Sequence, residues 1–396
     1  MMDLKTQIQQ IADTIHDEIL EIRRHLHQNP ELSFQEYNTS KYLKDKLKSW
    51  GVEIDKTWVN TGFTVCFDSK NPGPCIGLRA DLDALPIFEK TNVPFKSNND
   101  GIMHACGHDV HAACLMGVAK ILASNTIEFL GKIVLIFQPG EEKLPGGASL
   151  MIEEGLLETY PFDAIIAQHV YPEMEAGKVG FKAGMYMASA DEIYLTIHGK
   201  GGHAALPHKN IDPIVIASSI IVELQQISSR VAPPTIPTVL SFGKIEGLGA
   251  TNVIPDIVRI EGTLRTMDES WRSVYHDKIK AISESIASSY GGTCDCDIRK
   301  GYPFLINEEL LTKKTIEFAH EYLSKEQVEN LDLRMTAEDF AYYSQKAATC
   351  FYRLGVGNKK RNITQSVHHP EFDVDESAIK HGVGLMAFLA IKHGLK

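Results

Sequence analysis

The densest group of chemically capable side chains lies in residues 103–111, which read MHACGHDVH. A thiol, an imidazole and a carboxylate fall within four residues there, and two more histidines flank them. The apolar stretch 110–122 predicts a buried helix, so Cys106 and His108 belong to the loop that enters it. Such a loop can aim neighbouring side chains at one point, which favours metal ligation. The alternative is that these residues are buried for packing alone, since Cys and His are common in cores.

Two adjacent carboxylates, Glu141 and Glu142, follow the apolar strand pattern at 132–137. Neighbouring negative charges repel one another unless cations or hydrogen bonds offset that cost. Because adjacent residues point in different directions, one carboxylate can bind a metal while the other holds a water molecule. The alternative is an exposed acidic turn.

His169 and His368 are each ambiguous alone, because a strand-end or loop histidine often serves only as a hydrogen-bonding group. Together with Cys106, His108 and Glu142 they complete a set of five ligands suited to a pair of divalent ions. One thiolate, one carboxylate and three neutral imidazoles leave such a site net positive, which lowers the pKa of a bound water toward neutrality. Hydrolysis is the expected chemistry, with zinc, manganese, cobalt or nickel as the candidate metals.

Four further residues are weaker candidates. Asp83 can orient a metal-bound histidine or a catalytic base, or it can cap a loop. His203 lies in a glycine-rich turn where the backbone can approach a ligand closely, although the glycines can equally serve the turn alone. Asn252 and Arg265 would each pass for surface residues, but an arginine is well suited to bidentate capture of a carboxylate.

The elements that must position these residues alternate between helical patterns and short apolar strands in the first half of the chain. The predicted strands are 75–78, 132–137 and 164–167, and the predicted helices are 13–27, 39–50 and 110–122. This order is typical of an α/β domain with a mostly parallel sheet covered by helices. Because ligands bind beyond the carboxyl ends of such strands, we expect the candidates to converge there.

The pattern changes at about residue 185. Strands at 193–197, 239–245, 257–264 and 293–299 and helices at 214–227 and 269–289 follow in the order β-α-β-β-α-β, a ferredoxin-like module. Helical patterns at 308–323 and 377–393 then resume. We therefore predict a catalytic domain in two parts, 1–184 and 303–396, interrupted by a lid domain at 185–302.

Composition excludes several classes of function. The 396 residues carry a net charge of −11 with no long basic run, which argues against a nucleic-acid partner. The amino terminus has no signal-peptide pattern and no later segment reaches about 18 apolar residues, so we expect a cytoplasmic protein without a membrane span. Seven cysteines are odd in number and sparse, which argues against a disulfide framework.

Taken together, the motifs resemble those of the M20 family of metallopeptidases and amidohydrolases, in particular subfamily D, the branch of N-acyl-amino-acid hydrolases. The resemblance spans nearly the whole chain in the family's order. It is carried by RADLDALPI at 79–87, HACGHD at 104–109, FQPGEE at 137–142, GGHAA at 201–205, NVIP at 252–255, GTLR at 262–265, AEDFA at 337–341 and HHPEF at 368–372.

The resemblance implies roles residue by residue. The metal ligands implied are Cys106, His108, Glu142, His169 and His368, with the thiolate of Cys106 as the bridge between two metal ions. Glu141 matches the general base, and Asp83 matches the aspartate that orients the site. His203 matches a lid histidine that stabilises the oxyanion, in many relatives from the partner subunit, and Asn252 and Arg265 match residues that hold the substrate's carboxylate.

The resemblance therefore implies a binuclear amidohydrolase that acts on N-acyl amino acids through a metal-activated water and is a homodimer or higher homo-oligomer through its lid. A dipeptidase or aminoacylase acting on short peptides is the alternative within the same chemistry. A metal-bound binding protein without turnover is the alternative from another class, but such a protein would have no reason to retain Glu141.

Overall fold

The computed structural model describes residues 3–395, which form two compact units. The first unit comprises residues 3–184, 306–332 and 342–395, and the second comprises 185–305 and 333–341. The grouping of 333–341 with the second unit differs from the sequence pattern, which assigned all of 303–396 to the catalytic domain. It follows from backbone bonds, since the N–H of Ala188 lies 3.1 Å from the carbonyl of Arg334 and 3.0 Å from that of Thr336.

The first unit is built on an eight-stranded sheet. In spatial order its strands are Lys56–Trp58, Gly62–Asp68, Lys132–Gln138, Cys75–Asp81, Ala164–Glu175, Thr349–Gly357, Val179–Phe181 and Val328–Asn330. The four central strands, from Lys132–Gln138 to Thr349–Gly357, pair in parallel. Helices Leu4–Gln28, His108–Ala123 and Ala378–Gly394 share one hydrophobic core with this sheet. The predicted α/β class with a mostly parallel sheet is therefore confirmed.

The helix His108–Ala123 is apolar around its whole circumference because other elements surround it, and nearly all of its residues are buried. It begins at His108 itself, two residues earlier than the apolar pattern predicted. The cause is Gly107, whose φ of +80° is a conformation that glycine adopts without strain. His108 is thus fixed by the first turn of a helix rather than by a loop.

The strand Ala164–Glu175 is longer than the predicted 164–167, so His169 lies within it and not after its end. The strand continues because its parallel ladder with Thr349–Gly357 continues, with Arg353 opposite His169 and Leu354 opposite Val170. The polar residues Gln168 and His169 had suggested that the strand ends before them, whereas the strand continues to Glu175.

The second unit is a four-stranded antiparallel sheet packed against two helices. In spatial order its strands are Thr238–Glu246, Ile257–Thr266, Asp191–His198 and Thr293–Lys300, and its helices are Pro213–Leu224 and Glu269–Ser289. The chain order of these elements is β-α-β-β-α-β, the connectivity of a ferredoxin-like module. Asp212 caps the first helix and accepts a hydrogen bond from the Ile214 N–H at 2.9 Å.

The remaining elements are short connectors or outer helices. They are helices Tyr37–Ser49, Gly147–Glu153, Leu156–Thr159, Glu309–Tyr322 and Ala341–Ser344, and strands Gly184–Met187, Gly202–His203, Val253–Ile254 and Leu305–Asn307.

One helical stretch, Pro213–Val231, has the length and apolar composition of a membrane-crossing helix, contrary to the expectation from the sequence. One side of it packs into the core of the second unit, and only 28% of the stretch is buried. The opposite side exposes apolar residues, including Val215 and Val222, alongside Glu223. This helix therefore presents an apolar face to solvent within residues 3–395.

A buried ion pair joins the helix Glu269–Ser289 to the first strand of the second unit. The guanidinium of Arg272 donates to Asp191 at 2.5 and 2.9 Å and to the carbonyl of Gly301 at 2.9 Å. Burial alone would raise the pKa of Asp191, but hydrogen bonds from His276 and Arg272 lower it to about 2. Because both side chains are buried, water cannot take the place of either one if it is removed.

We expect Arg272→Met to destabilise the second unit by about 3–5 kcal/mol, because it leaves Asp191 buried without its cation. Lys300→Met is the matched control, since Lys300 also contacts Glu269 but is exposed, and it should cost about 0–1 kcal/mol. Urea unfolding of both variants measures the difference. Equal midpoints for the two variants would contradict the role given to this ion pair.

Candidate metal centre and substrate-contact residues

Five of the predicted site residues come together at one end of the large sheet in the first unit. Cys106 and His108 lie at the start of the helix His108–Ala123, Glu142 follows the strand Lys132–Gln138, and His169 lies within its own strand. His368 comes from the loop before the last helix. Its backbone N–H donates to the carbonyl of Ala105 at 2.7 Å, which fixes this loop beside Cys106.

The donor atoms of these residues fall into two groups that share one member. The Sγ of Cys106 lies 3.4 Å from the Nε2 of His169, and the ligand atoms of Cys106, His108 and His169 all lie within 4.8 Å of one another. The same holds for Cys106, Glu142 and His368, where Glu142 Oε1 lies 3.2 Å from His368 Nε2. Cys106 is therefore the member common to both groups.

The polar atoms of this pocket fit a bound cation. His108 Nε2 and Glu142 Oε1 are buried and make no hydrogen bond in the described chain, because the 3.2 Å contact of Glu142 Oε1 with His368 Nε2 lacks hydrogen-bond geometry. A cation would relieve this costly state. Burial raises the pKa of the Cys106 thiol, and the charges of Glu142 and Glu141 raise it further. Burial, together with the charge of Arg353, lowers the pKa of His169, which keeps its imidazole neutral and able to ligate.

Asp83 holds two parts of the pocket together. Its Oδ1 accepts from His108 Nδ1 at 3.2 Å, and its Oδ2 accepts from the Ser33 hydroxyl at 2.7 Å and the Glu142 N–H at 2.9 Å. Nδ1 of His108 therefore carries a proton, which leaves Nε2 as the ring nitrogen that faces the pocket. Burial alone would lower the pKa of His108, but the carboxylates of Asp81 and Asp83 raise it to about 10.

A second pair, His111 and Asp81, positions His169. His111 Nδ1 donates to Asp81 at 2.6 Å, and His111 Nε2 accepts the N–H of Val170 at 2.8 Å. The carbonyl of Val170 in turn accepts from His169 Nδ1 at 2.8 Å, so Nε2 of His169 faces Cys106. His111 was not among the residues to which the sequence assigned a role in the site. The available signal was its spacing, since residues i and i+3 share one helix face.

Gly107 allows this close packing at the helix start. A Cβ on Gly107 would lie 2.5 Å from the Cγ2 of Val170, and its φ of +80° already disfavours other residues. Val170, the residue after His169, therefore packs against Gly107 and donates its backbone N–H to His111.

The loop that carries Glu141 is anchored by another carboxylate. Glu36 accepts hydrogen bonds from the Gly140 N–H at 2.8 Å and the Phe34 N–H at 2.9 Å. Burial and the charge of Asp83 raise the pKa of Glu36 to about 7. Glu141 itself is buried, and its carboxylate lies within 4.8 Å of ligand atoms of His108 and Glu142.

His368 marks the open side of the pocket. Its side chain is 52% exposed, whereas that of His108 is 1% exposed. Its φ of +65° is unusual for a residue with a side chain and is the kind of local strain found at functional sites. A substrate can therefore reach the pocket past His368.

The predicted residues of the second unit fall at two places, not one. His203 lies opposite Val253 in a short antiparallel pair, and the Ala204 N–H donates to the Asn252 carbonyl at 3.0 Å. Arg265 lies near the far end of the strand Ile257–Thr266. His203 follows the strand end at His198, which pairs with Ile257, whereas Leu264 pairs with Asp191. At about 3.3 Å per residue, the eight residues from Ile257 to Arg265 span roughly 26 Å, which separates Arg265 from the strand end at His198 that precedes His203.

Arg265 is a half-buried cation without a protein partner. Among residues 3–395 its guanidinium makes no hydrogen bond or ion pair, and it lines a groove of about 430 Å³. A partly desolvated guanidinium of this kind is suited to an external carboxylate.

Comparison with known proteins adds independent findings. The sequence model of peptidase family M20/M25/M40 matches residues 77–392. The N-acetyl-L-cysteine deacetylase of Bacillus subtilis is 42% identical over 366 residues, which cover 92% of this chain and 86% of that protein. Thermostable carboxypeptidase 2 of Saccharolobus solfataricus is 37% identical over 398 residues, 100% of both chains. The crystal structure of a Bacillus subtilis protein, described as a dinuclear metal-binding peptidase from the M20 family, matches with a TM-score of 0.82 at 34% identity, covering 96% of this chain and 98% of that one.

We expect His111→Phe to weaken divalent-metal binding by about 10–100-fold, because His169 loses the contact that holds its backbone. His393→Phe is the matched control, a buried histidine of the same unit that bonds to Thr315 at 2.9 Å away from the pocket. Competition with a chromogenic chelator gives the affinity, and thermal unfolding shows how far each change affects stability alone. A loss of affinity common to both variants would remove the specific role of His111.

Proposed function

Because this chain belongs to peptidase family M20/M25/M40 and is a hydrolase, we propose that it cleaves N-acylated amino acids into a carboxylic acid and a free amino acid. The observation that carries the proposal is the pocket in which five donor side chains, Cys106 and four that surround it, lie beside Glu141. The deacetylase name of the Bacillus subtilis relative supports an acylated amino acid as the substrate.

We propose that Cys106, His108, Glu142, His169 and His368 hold two divalent ions, with Cys106 between them. Zinc, manganese, cobalt and nickel all suit this mixture of sulfur, nitrogen and oxygen donors. When bound, such ions supply the positive charge that makes a water molecule acidic and polarises the acyl oxygen. The unpartnered atoms of His108 and Glu142 support this proposal.

Glu141 is the proposed base. Its carboxylate lies within 4.8 Å of ligand atoms of His108 and Glu142, but it belongs to neither of the two groups that contain Cys106. It can therefore accept the proton of the attacking water. The same proton then passes to the amide nitrogen as the acyl–nitrogen bond breaks, which regenerates the carboxylate. Burial of Glu141 excludes competing bulk water from this transfer.

Arg265 is the proposed partner of the substrate's α-carboxylate, because it is a half-buried guanidinium without a protein partner. A free carboxylate next to the scissile amide would then be a requirement for binding. This property suits both an N-acyl amino acid and the carboxyl-terminal residue of a peptide.

His203 and Asn252 are proposed to complete the site of a second copy of the chain. Arg265 lies roughly 26 Å along the sheet from the strand end that precedes His203, which exceeds the length of a small N-acyl amino acid, so one substrate cannot contact both ends of this sheet. The edge strand Thr238–Glu246 offers unpaired backbone groups, and the neighbouring helix exposes Val222 at 72%. We propose that these surfaces join two copies as a homodimer.

A second candidate function is a carboxypeptidase or dipeptidase acting on short peptides. It is favoured by the name of the Saccharolobus solfataricus relative, which matches over the whole chain. Hydrolysis rates for dipeptides beside N-acetyl and N-benzoyl amino acids distinguish the two. A binding protein without turnover would show affinity for these compounds and no hydrolysis.

We also propose a cytoplasmic location and no nucleic-acid or membrane partner. The seven cysteines are all free, as a reducing compartment would leave them.

We expect Glu141→Gln to lower kcat by about 10²–10⁴-fold, because the amide cannot accept a proton from water. Two metals per chain should still be measured by elemental analysis, since the proposed donors are unchanged. Glu158→Gln, which alters an exposed glutamate of the same unit, is the control. Retention of most activity in Glu141→Gln would exclude it as the base.

A mixed oligomer tests the proposed role of the second copy. Glu141→Gln and His203→Ala chains carrying different tags are co-expressed, and the hetero-oligomer is purified through both tags. If His203 acts in the other subunit, one site of a heterodimer retains both intact residues, and about half of the wild-type activity returns. An inactive heterodimer would place His203 in the site of its own chain.

A further inference from the structure

Glu36 is a buried carboxylate that no chemical step of the proposed reaction uses. It is fully buried, and within residues 3–395 no lysine, arginine or histidine pairs with it. Its Oε1 accepts the N–H groups of Phe34 at 2.9 Å and Gly140 at 2.8 Å, and its Oε2 accepts the hydroxyl of Thr61 at 2.8 Å. A charge buried without a counter-ion depends on such donors, so these bonds are what stabilises the carboxylate.

Both backbone donors to Glu36 belong to residues in an uncommon conformation. Phe34 has a φ of +65° and Gly140 a φ of +61°, and the side chain of Phe34 makes such a φ unfavourable. The two residues also pack tightly, since a Cβ on Gly140 would clash with the Phe34 ring. One oxygen of Glu36 therefore holds both sides of a close and strained contact.

The residue before Glu141 is fixed through both of its backbone groups. The N–H of Gly140 donates to Glu36, and its carbonyl accepts a backbone N–H from the start of the following helix at 2.9 Å. On the other side of Glu141, the N–H of Glu142 donates to Asp83 at 2.9 Å. The backbone at Glu141 is thus held by Glu36 before it and by Asp83 after it, and only Asp83 bonds directly to Glu142.

From these contacts we infer that Glu36 is a positioning residue of the reaction, which as a carboxylate orients the turn that presents Glu141 and in its neutral form holds that turn less tightly. This inference rests on the proposed function, because it takes Glu141 as the base. The proposed metal ligand Glu142 is held separately by Asp83. A loosened turn should therefore slow the proton transfer and leave metal binding unchanged.

The charge of Glu36 depends on pH within the range in which enzymes are assayed. Burial and the charge of Asp83 raise the pKa of Glu36 to about 7, against the bonds from Thr61 and the backbone. Charge-assisted hydrogen bonds are about twice as strong as neutral ones, so protonation of Glu36 weakens its bond to Gly140. Cations bound beside the neighbouring carboxylate Glu141 lower this pKa, so the test compares shifts between variants rather than one absolute pH.

The test follows kcat against pH in two variants of this contact, with the metal-loaded full chain and an N-acetyl amino acid as substrate. Glu36→Gln keeps the shape of the side chain and an acceptor for Gly140 but removes the charge. We expect kcat at alkaline pH to fall about tenfold with KM and metal content unchanged, and the decrease of kcat that Glu36 causes at acid pH to disappear. Thr61→Val removes a bond that stabilises the charged form, so the pKa of Glu36 rises and the acid limb of kcat should move to higher pH.

Glu308→Gln is the matched control, because Glu308 also accepts two backbone N–H groups, those of Leu310 and Leu311, at the start of an outer helix. It should keep the wild-type kcat and pH profile even if it lowers the unfolding temperature.

Acid limbs that coincide in the wild type and both variants of the contact would overturn the inference. So would a decrease of kcat in Glu36→Gln that only follows a loss of metal or of folded protein. If Glu36→Gln does not fold, the shift in Thr61→Val decides the question alone. Failure of the wild type to hydrolyse any N-acyl amino acid, or high activity in Glu141→Gln, would instead overturn the proposed function.

Discussion

Burying a thiol and several carboxylates in one pocket is the constraint on which the rest of the first unit depends. Such groups ionise in a protein interior only when positive charge compensates them. Around Cys106 the negative groups Glu141, Glu142 and Asp81 all act against its ionisation. The divalent ions proposed for this pocket would resolve the conflict, which gives a physical reason for the pocket to bind them.

The surrounding carboxylates act mainly through geometry. Asp83 joins the helix start at His108 to the loop at Glu142, while Glu36 anchors the backbone on the other side of Glu141. Asp81 anchors the strand Ala164–Glu175 by accepting a hydrogen bond from His111, which in turn accepts the N–H of Val170. Elements that are distant in the chain are thus connected by buried hydrogen bonds, which hold ligands more rigidly than loops could alone.

The sequence predicted the site better than it predicted the boundaries of the elements. The α/β class and the family were confirmed, because apolar periodicity and short motifs are local properties of the chain. The prediction that the strand ends before His169 was wrong. The strand continues because it pairs with residues nearly two hundred positions away in the chain. The function of His111 depends on a contact with the Val170 backbone, whereas its i, i+3 spacing from His108 indicated only that the two side chains share one helix face. The roles of His203, Asn252 and Arg265 remain predictions, although the register already separates the first two from the third.

The place of Thr349–Gly357 within the large sheet has a consequence for biosynthesis. This strand is the parallel neighbour of Ala164–Glu175, yet the ribosome makes it only after the entire second unit. During translation the nascent first unit therefore displays a long apolar strand edge, the kind of surface that recruits chaperones or aggregates. The loop bearing His368 emerges later still, so the nascent protein cannot capture metal with its complete donor set until the last part of the chain has left the ribosome.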